Sequence, residues 1–363
     1  MPAHFVALSD LHLGYDNSLL NGPAAQANLA AVVADLCGGA TDKLILNGDV
    51  FEGCVPSSAG QVDSHGYSPA VATAARGFFS ALLAKVKVGK LVILWGNHDY
   101  AMWKRLAASC GVPTFTNNTK GDVLLADGGA ILPGAEGFLA DVIGPAAAEI
   151  SKIVSAYPNH VLGDGWPYIV FHHGHFLDDL VLGQNAEAEY AGLALLTGVG
   201  RPKVSLTDVK SVADLHDATE AFVAATWAFN SKAREKEWAM IRRFGSNPKC
   251  SFYPTTPAPA SSLVPPTEVQ QPALGKHLGW YTDLLTADPT TPAPVGDTDA
   301  PSYLFLGHDH AGGFTDVPGL DSLTWKLVNT GGWTNDAGST AVHGHVTVWG
   351  ENDDGPTVHC ARV

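Results

Sequence analysis

Apolar positions along the first hundred residues switch between two periods. The run His4 to Ser9 is continuously apolar, as in a strand buried on both faces, and breaks off in "DLH". Pro23, preceded by Asn21 and Gly22, marks a helix start. Leu29, Val32, Val33 and Leu36 then recur at helical spacing until Gly38 and Gly39 stop them. "KLILNGD", Lys43 to Asp49, reads as the next buried strand. Ser68 and Pro69 open a second helix with an apolar face of Val71, Ala74, Ala75, Phe78, Phe79, Leu82, Leu83 and Val86, and "KLVILWGNHD" returns as a third strand. The order βαβαβ predicts an α/β sheet.

Polar residues gather where these strands end. In open α/β sheets, sites form in the crevice beyond the carboxyl ends of the strands. The three strands end in "DLH", "NGD" and "GNHD", and two later apolar runs end alike: "YIVFHHGH" (Tyr168 to His175) and "YLFLGHDH" (Tyr303 to His310). One place is therefore expected to receive Asp10, His12, Asp49, Asn97, His98, a histidine from among His172, His173 and His175, His308 and His310. Singly, each ending has a bland reading, since Gly96, Asn97 and Asp99 are turn formers and "NGD" is a common turn. Turns do not account for five such endings, each behind a strand-like run. A second "HGH", His343 to His345, lies in the alternating run "AVHGHVTVW", which predicts two histidines on a solvent face. His65 and Asp63 read first as loop residues, with substrate contact as their second reading.

Composition narrows what such a cluster serves. At 363 residues the chain holds one large domain or two moderate ones. Against 21 Lys and Arg stand 36 Asp and Glu, and a net charge of −15 repels nucleic-acid backbones and anionic membranes. A nucleic-acid polymer is not an expected partner. Cys37, Cys54, Cys110, Cys250 and Cys360 are scattered and odd in number, without the paired spacing of a zinc knuckle or a disulfide framework, and read as reduced thiols. No basic segment followed by an apolar one opens the chain, and no stretch of about 18 uninterrupted apolar residues would span a bilayer. A cytoplasmic protein without a transmembrane segment is expected.

Imidazole and carboxylate gathered without cysteine suit manganese, iron or zinc, whereas calcium and magnesium prefer oxygen alone. So many ligands exceed the need of one ion. Two ions about 3.5 to 4 Å apart form the usual hydrolytic pair, which a carboxylate bridges. Asp49, central among the strands, is the choice for that bridge.

The motifs "DLH", "NGD", "GNHD", "HHGH" and "GHDH", in this order, resemble those of the calcineurin-like metallophosphoesterases, over about residues 1–175 and 300–335. The resemblance implies an α/β fold, a four-layer αββα sandwich whose central mixed sheets are flanked by helices. It also implies hydrolysis of a small-molecule phosphate mono- or diester, with a metal-bridging water or hydroxide as nucleophile. Carried over motif by motif, Asp10, His12, Asp49 and His310 hold one ion, and Asp49, Asn97, His173 and His308 the other. His98 faces the phosphate as the catalytic acid, with Asp99 either orienting it or bracing the loop. His173 is favoured in the fourth motif because it precedes Gly174 as the ligand does in related sequences. His175 is then left for substrate contact. "VNTGGW" (Val328 to Trp333) resembles the strand and turn that often follow the last motif, with glycine where the family commonly has serine. Two divalent ions are the expected cofactors, manganese first, with iron or zinc as alternatives.

Between His175 and Ser302 the chain runs about 125 residues, far longer than an ordinary connection. "DDLVLGQNAEAEYAGLALLTGVG" and "SVADLHDATEAFVAATWAFNSKAREKEWAMIRRF" read as helices, and a Pro/Thr/Ala-rich stretch from Pro254 to Pro301 follows. This divides the chain into a catalytic domain, 1–175 and 302–363, and a helical, Pro-rich insertion, 176–301, expected to cap the crevice. Helical insertions in the corresponding place occur in the UDP-diacylglucosamine hydrolase branch of the family, which raises cleavage of a nucleotide-sugar or lipid-linked pyrophosphate as an alternative. That branch typically has arginine where this chain has His98. A non-catalytic scaffold of the same fold is the rival from another class, and such members typically lack some metal ligands, whereas this chain lacks none.

Overall fold

The computed structural model describes residues 3–15, 18–53, 69–110, 122–127, 130–131, 137–157, 159–162, 168–175, 302–308, 313–317, 325–334, 343–350 and 355–362. Along the chain come β1 (Ala3–Leu8), α1 (Pro23–Leu36), β2 (Ala40–Asn47), α2 (Pro69–Leu83), β3 (Lys87–Leu94) and α3 (Tyr100–Ser109). Then follow β4 (Asp122–Asp127), β5 (Ala130–Ile131), α4 (Gly137–Ile143), β6 (Lys152–Ala156), β7 (Asn159–Leu162) and β8 (Ile169–His172). The last elements are β9 (Ser302–Leu306), β10 (Gly313–Val317), β11 (Trp325–Asn329), β12 (His343–Gly350) and β13 (Thr357–Arg362). The helix at Pro23 starts with proline in its first turn, where a missing N–H costs nothing. It ends before Gly38 and Gly39, both at positive φ.

Two mixed sheets form. One has eight strands in the order β13-β12-β1-β2-β3-β6-β4-β5, and the other five in the order β10-β11-β9-β8-β7. In the first, β1, β2, β3 and β6 are parallel neighbours; in the second, β8, β9 and β11 are. The five motif-bearing strands are thus shared between two sheets, and the carboxyl ends of all five meet at one end of the sandwich.

Alternation along each strand assigns its two faces to two cores. Val6, Leu8, Leu44, Leu46, Leu91 and Ile93 pack with Leu29 and Val33 of α1 and with Val71, Phe78 and Phe79 of α2. The opposite faces, Phe5, Ala7, Ile45, Val92 and Leu94, meet Phe171, Phe305 and Val328 of the second sheet. Phe5 lies edge-on to both Phe171 and Phe305 at 5.4 Å, and those two stack at 4.5 Å. Each such ring contributes about 1.5–3 kcal/mol by burial alone. This layer therefore fixes the two sheets against one another and hence the distance between their motifs.

Val170, Leu304 and Leu327 on the far face of the five-stranded sheet are buried as well. The helices that the four-layer expectation puts there are not among the described elements, and the proposed insertion, 176–301, lies outside the described residues. That segment joins β8 to β9, which are adjacent and parallel. No helix among the described residues is long and apolar enough to cross a membrane.

His345 departs from expectation. It is buried, at 7% exposure, and does not face solvent. The reason is position: β12 is an interior strand between β1 and β13, and the second sheet covers the face that carries His345 and Thr347. Gly331 leaves the room, because a Cβ there would overlap the His345 ring.

Candidate metal centre

The loops after β1 and β2 run side by side. Asp10 N–H donates to Gly48 O at 3.0 Å, His12 N–H to Asp49 O at 2.9 Å, Leu13 N–H to Val50 O at 2.9 Å, and Glu52 N–H to Leu13 O at 3.1 Å. "DLH" and "GDVFE" are thereby zipped into one ledge. Asp99 ties the third motif to it, its carboxylate accepting the N–H groups of Val50 at 3.0 Å, Phe51 at 2.8 Å and Gly96 at 3.3 Å. The fourth and fifth motifs join through Gly307 N–H to His173 O at 2.8 Å, and Trp333 of "VNTGGW" donates its N–H to Asp10 O at 3.0 Å.

Four non-glycine residues among those described have positive φ: Asp10, His12, Asp49 and His308. Each such residue costs about 1 kcal/mol or more and persists only where its surroundings impose it. Here the ligand candidates impose it on one another. Both oxygens of Asp10 accept His308 N–H at 3.0 Å, and Asp49 Oδ1 accepts His98 N–H at 2.8 Å. Strain at all four, and at no other described side-chain-bearing residue, marks the crevice as the part of the chain shaped for something other than stability.

Glycines at the motif edges let the side chains approach. A Cβ on Gly48 would overlap the His173 ring, one on Gly96 would overlap the Asp49 carboxylate, and one on Gly307 would overlap Ser9 Oγ and crowd Asp10. Ser9 Oγ in turn donates to Asp10 Oδ2.

His173 is buried, with Nδ1 donating to Asn47 O at 3.1 Å. That bond fixes the tautomer and leaves Nε2 toward Asp49 Oδ2 at 3.1 Å and Asn97 Oδ1 at 3.1 Å, with Asp10 Oδ1 at 4.0 Å. Four potential electron-pair donors converge there. Only a proton or a cation among them relieves the arrangement. Burial alone would lower the His173 pKa, but the Asp49 and Asp10 carboxylates outweigh it and push it up to about 9. The same imidazoles hold the Asp49 carboxyl well below the usual range against its burial. A divalent ion would take the place of the proton.

Ligand atoms of His12, Asp49 and His98 lie within 4.8 Å of one another, as do those of Asp49, His173 and His308. Asp49 belongs to both groups. Asp10 Oδ1 stands 4.0 Å from the Nε2 atoms of both His12 and His173, and Asp49 Oδ2 is 3.8 Å from His12 Nε2. This mixed imidazole and carboxylate set, without sulfur, fits two borderline divalent ions around a shared carboxylate.

Among the competing histidines of the fourth motif, His173 is the one whose ring enters these groups. His172 turns its Nδ1 to Gly174 N–H at 2.9 Å, and His175 stands behind, its ring 5.5 Å from that of His173 and 6.5 Å from that of His308. His310, His65 and Asp63 lie outside the described residues.

For Asp99, the hydrogen bonds are those of a loop brace; its carboxylate is engaged by three backbone N–H groups. The residue that orients His98 is Glu52, which the sequence reading did not single out. Glu52 is buried, its oxygens 2.9 and 3.0 Å from His98 Nδ1, and Oε2 is also 3.0 Å from His12 Nδ1. The only signal for it was its place three residues after Asp49 in "GDVFEG". Burial would raise the Glu52 pKa, yet His98 and His12 bring it down to about 2. In the other direction, burial would lower that of His98, while Glu52 and Asp49 push it up to about 10. The His98 side chain keeps 23% of its surface exposed, so the ring is reachable from the crevice.

The family model described as calcineurin-like phosphoesterase matches residues 3–215, which takes in the first four motifs. Curated proteins give no match. The fifth motif lies beyond the matched stretch, and its His308 reaches the same cluster through β9, the neighbour of β8.

Proposed function

Since the chain belongs to the calcineurin-like phosphoesterase family, we propose that it is a dinuclear-metal-dependent hydrolase of small phosphate mono- or diesters. The observation that carries this reading is that the Asp49 carboxylate lies between His12, 3.8 Å from its Nε2, and His173, 3.1 Å from its Nε2. Asp10, His12, Asp49 and His310 are assigned to one ion, and Asp49, Asn97, His173 and His308 to the other. Two such ions, manganese first, would supply Lewis acidity toward the phosphoryl oxygens and would lower the pKa of a nucleophilic water.

The chain's own residues position and move protons. Asn97 offers a neutral carbonyl oxygen and adds no charge to a site already rich in carboxylates. His173 presents Nε2 because Asn47 O holds its Nδ1–H. His98, its Nδ1 held by Glu52, keeps Nε2 for the proton that a departing alkoxide needs. Glu52 acts through His98 as a positioning residue, and Asp99 keeps the loop in place. The insertion, 176–301, is assigned the choice among substrates, on the support that it connects two adjacent strands whose ends carry His173 and His308. A cytoplasmic location belongs to the same reading.

The test is a panel of a phosphate monoester, a diester and a pyrophosphate with Mn²⁺-loaded protein. Turnover of an ester supports the proposal, preference for the pyrophosphate moves the substrate to the alternative class, and absence of turnover on all three contradicts it.

A further inference from the structure

One oxygen of Glu52 serves two imidazoles. Oε2 lies 3.0 Å from His12 Nδ1 and 2.9 Å from His98 Nδ1, while Oε1 lies 3.0 Å from His98 Nδ1. The two rings meet edge to face with centroids 4.7 Å apart. A carboxylate accepts only, so both Nδ1 atoms are donors and both Nε2 atoms are left for the crevice. Carboxylates that hold the far nitrogen of a metal-binding histidine set its tautomer and raise its basicity. Glu52 stands in that relation to His12, and it holds Nδ1 of His98 at the same time.

We propose that Glu52 couples the metal site at His12 to the proton donor at His98 by sharing Oε2 between them. The inference rests on the dinuclear reading above and adds a link between its parts. With His12 holding an ion, its Nδ1–H would be the stronger donor to the shared oxygen, at the expense of His98. Removing His98 ends that ring's share of the oxygen and leaves the bond to His12 in place. Removing the charge of Glu52 weakens both rings' support, because an amide in either orientation sets its NH₂ against the Nδ1–H of His98, and in one orientation against His12 as well.

The experiment measures Mn²⁺ affinity by calorimetric titration of the chelator-stripped full-length chain. In parallel it measures kcat on an alkyl and a p-nitrophenyl phosphate, for wild type, Glu52→Gln, His98→Ala and the double variant. Glu52→Gln is expected to bind Mn²⁺ about 10- to 100-fold more weakly and to lose more rate on the alkyl ester than on the p-nitrophenyl ester. His98→Ala is expected to bind Mn²⁺ at least as tightly as wild type, and the double variant to match Glu52→Gln in affinity. Glu52→Asp keeps the charge but withdraws it by one methylene; it should show both losses in smaller size and stands in if the amide variant does not fold. Unchanged affinity in both Glu52 variants overturns the coupling while leaving the dinuclear reading intact. A weakening in His98→Ala equal to that in Glu52→Gln also overturns it, and makes His98 a ligand in its own right. A wild type that binds no Mn²⁺ and turns over neither ester removes both.

Discussion

His98 donates its backbone N–H to Asp49 Oδ1 at 2.8 Å, so the carboxylate proposed to bridge the two ions also holds the loop that carries the proposed proton donor. Asp49→Ala is expected to lose both ions or nearly so, because no other described residue belongs to both groups. His310→Ala should weaken one site preferentially. Elemental analysis after gel filtration reads both, and two tightly held ions in Asp49→Ala contradict the bridging assignment.

His98→Ala should keep its metals and lose roughly 100-fold or more in kcat on alkyl phosphates, whose leaving group needs a proton. On p-nitrophenyl esters, which release a stable anion, the loss should be much smaller. Equal losses on the two ester types would make His98 a stabiliser of phosphoryl charge and no acid.

Without metal, Glu52 and His98 give stability an acid and an alkaline flank. Glu52 is depressed from 4.5 to about 2, so its contribution is present above pH 4.5 and fades as pH falls toward 2. His98 is raised from 6.5 to about 10, so its contribution is complete below pH 6.5 and fades as pH rises through 10. Asp49 and His173 shift in the same senses. Asp99 adds a slope between these flanks, since burial and Asp49 raise it from 3.8 to about 7 and stability therefore falls as pH rises across that range. In chelator-treated protein, Glu52→Gln should lessen the Tm slopes below pH 4.5 and above pH 6.5 relative to wild type. Identical Tm profiles in the two proteins would contradict the ion pair.

Gly48 has φ +88°, and a Cβ on it would overlap the His173 ring. Gly48→Ala combines backbone strain with displacement of that ring, and is expected to cost about 1–3 kcal/mol of stability together with metal content. Gly22→Ala is the control. Nothing lies within 4 Å of a Cβ built there, and its φ of −114° suits alanine. Equal Tm and metal content in Gly48→Ala and wild type would remove the close approach as a requirement.

Strand ends were legible because "DLH", "NGD" and "GNHD" each break an apolar run, and α2 was legible because Val71, Ala75, Phe78 and Phe79 keep helical spacing. The division into two sheets came from the family resemblance and not from the apolar pattern. A strand buried on both faces carries the same continuous run whichever sheet it joins, and only pairing separates β3 from β8. Glu52 escaped for a related reason: its partners His12 and His98 are 40 and 46 residues away, and nothing local in "GDVFEG" reveals that two loops lie side by side. His345 was misread because alternation reports two faces without saying which of them a second sheet covers. His310, His65 and the insertion fall outside the described residues, and their roles rest on the motif order.

The dinuclear assignment is tested most directly by the metal stoichiometry of the wild-type chain. Apoprotein titrated with Mn²⁺ and assayed at each step for hydrolysis of p-nitrophenyl phosphate and its phenyl diester should bind two ions per chain, with activity reaching its plateau at the second. Full activity at one ion per chain, or saturation with no hydrolysis of either ester, would contradict it.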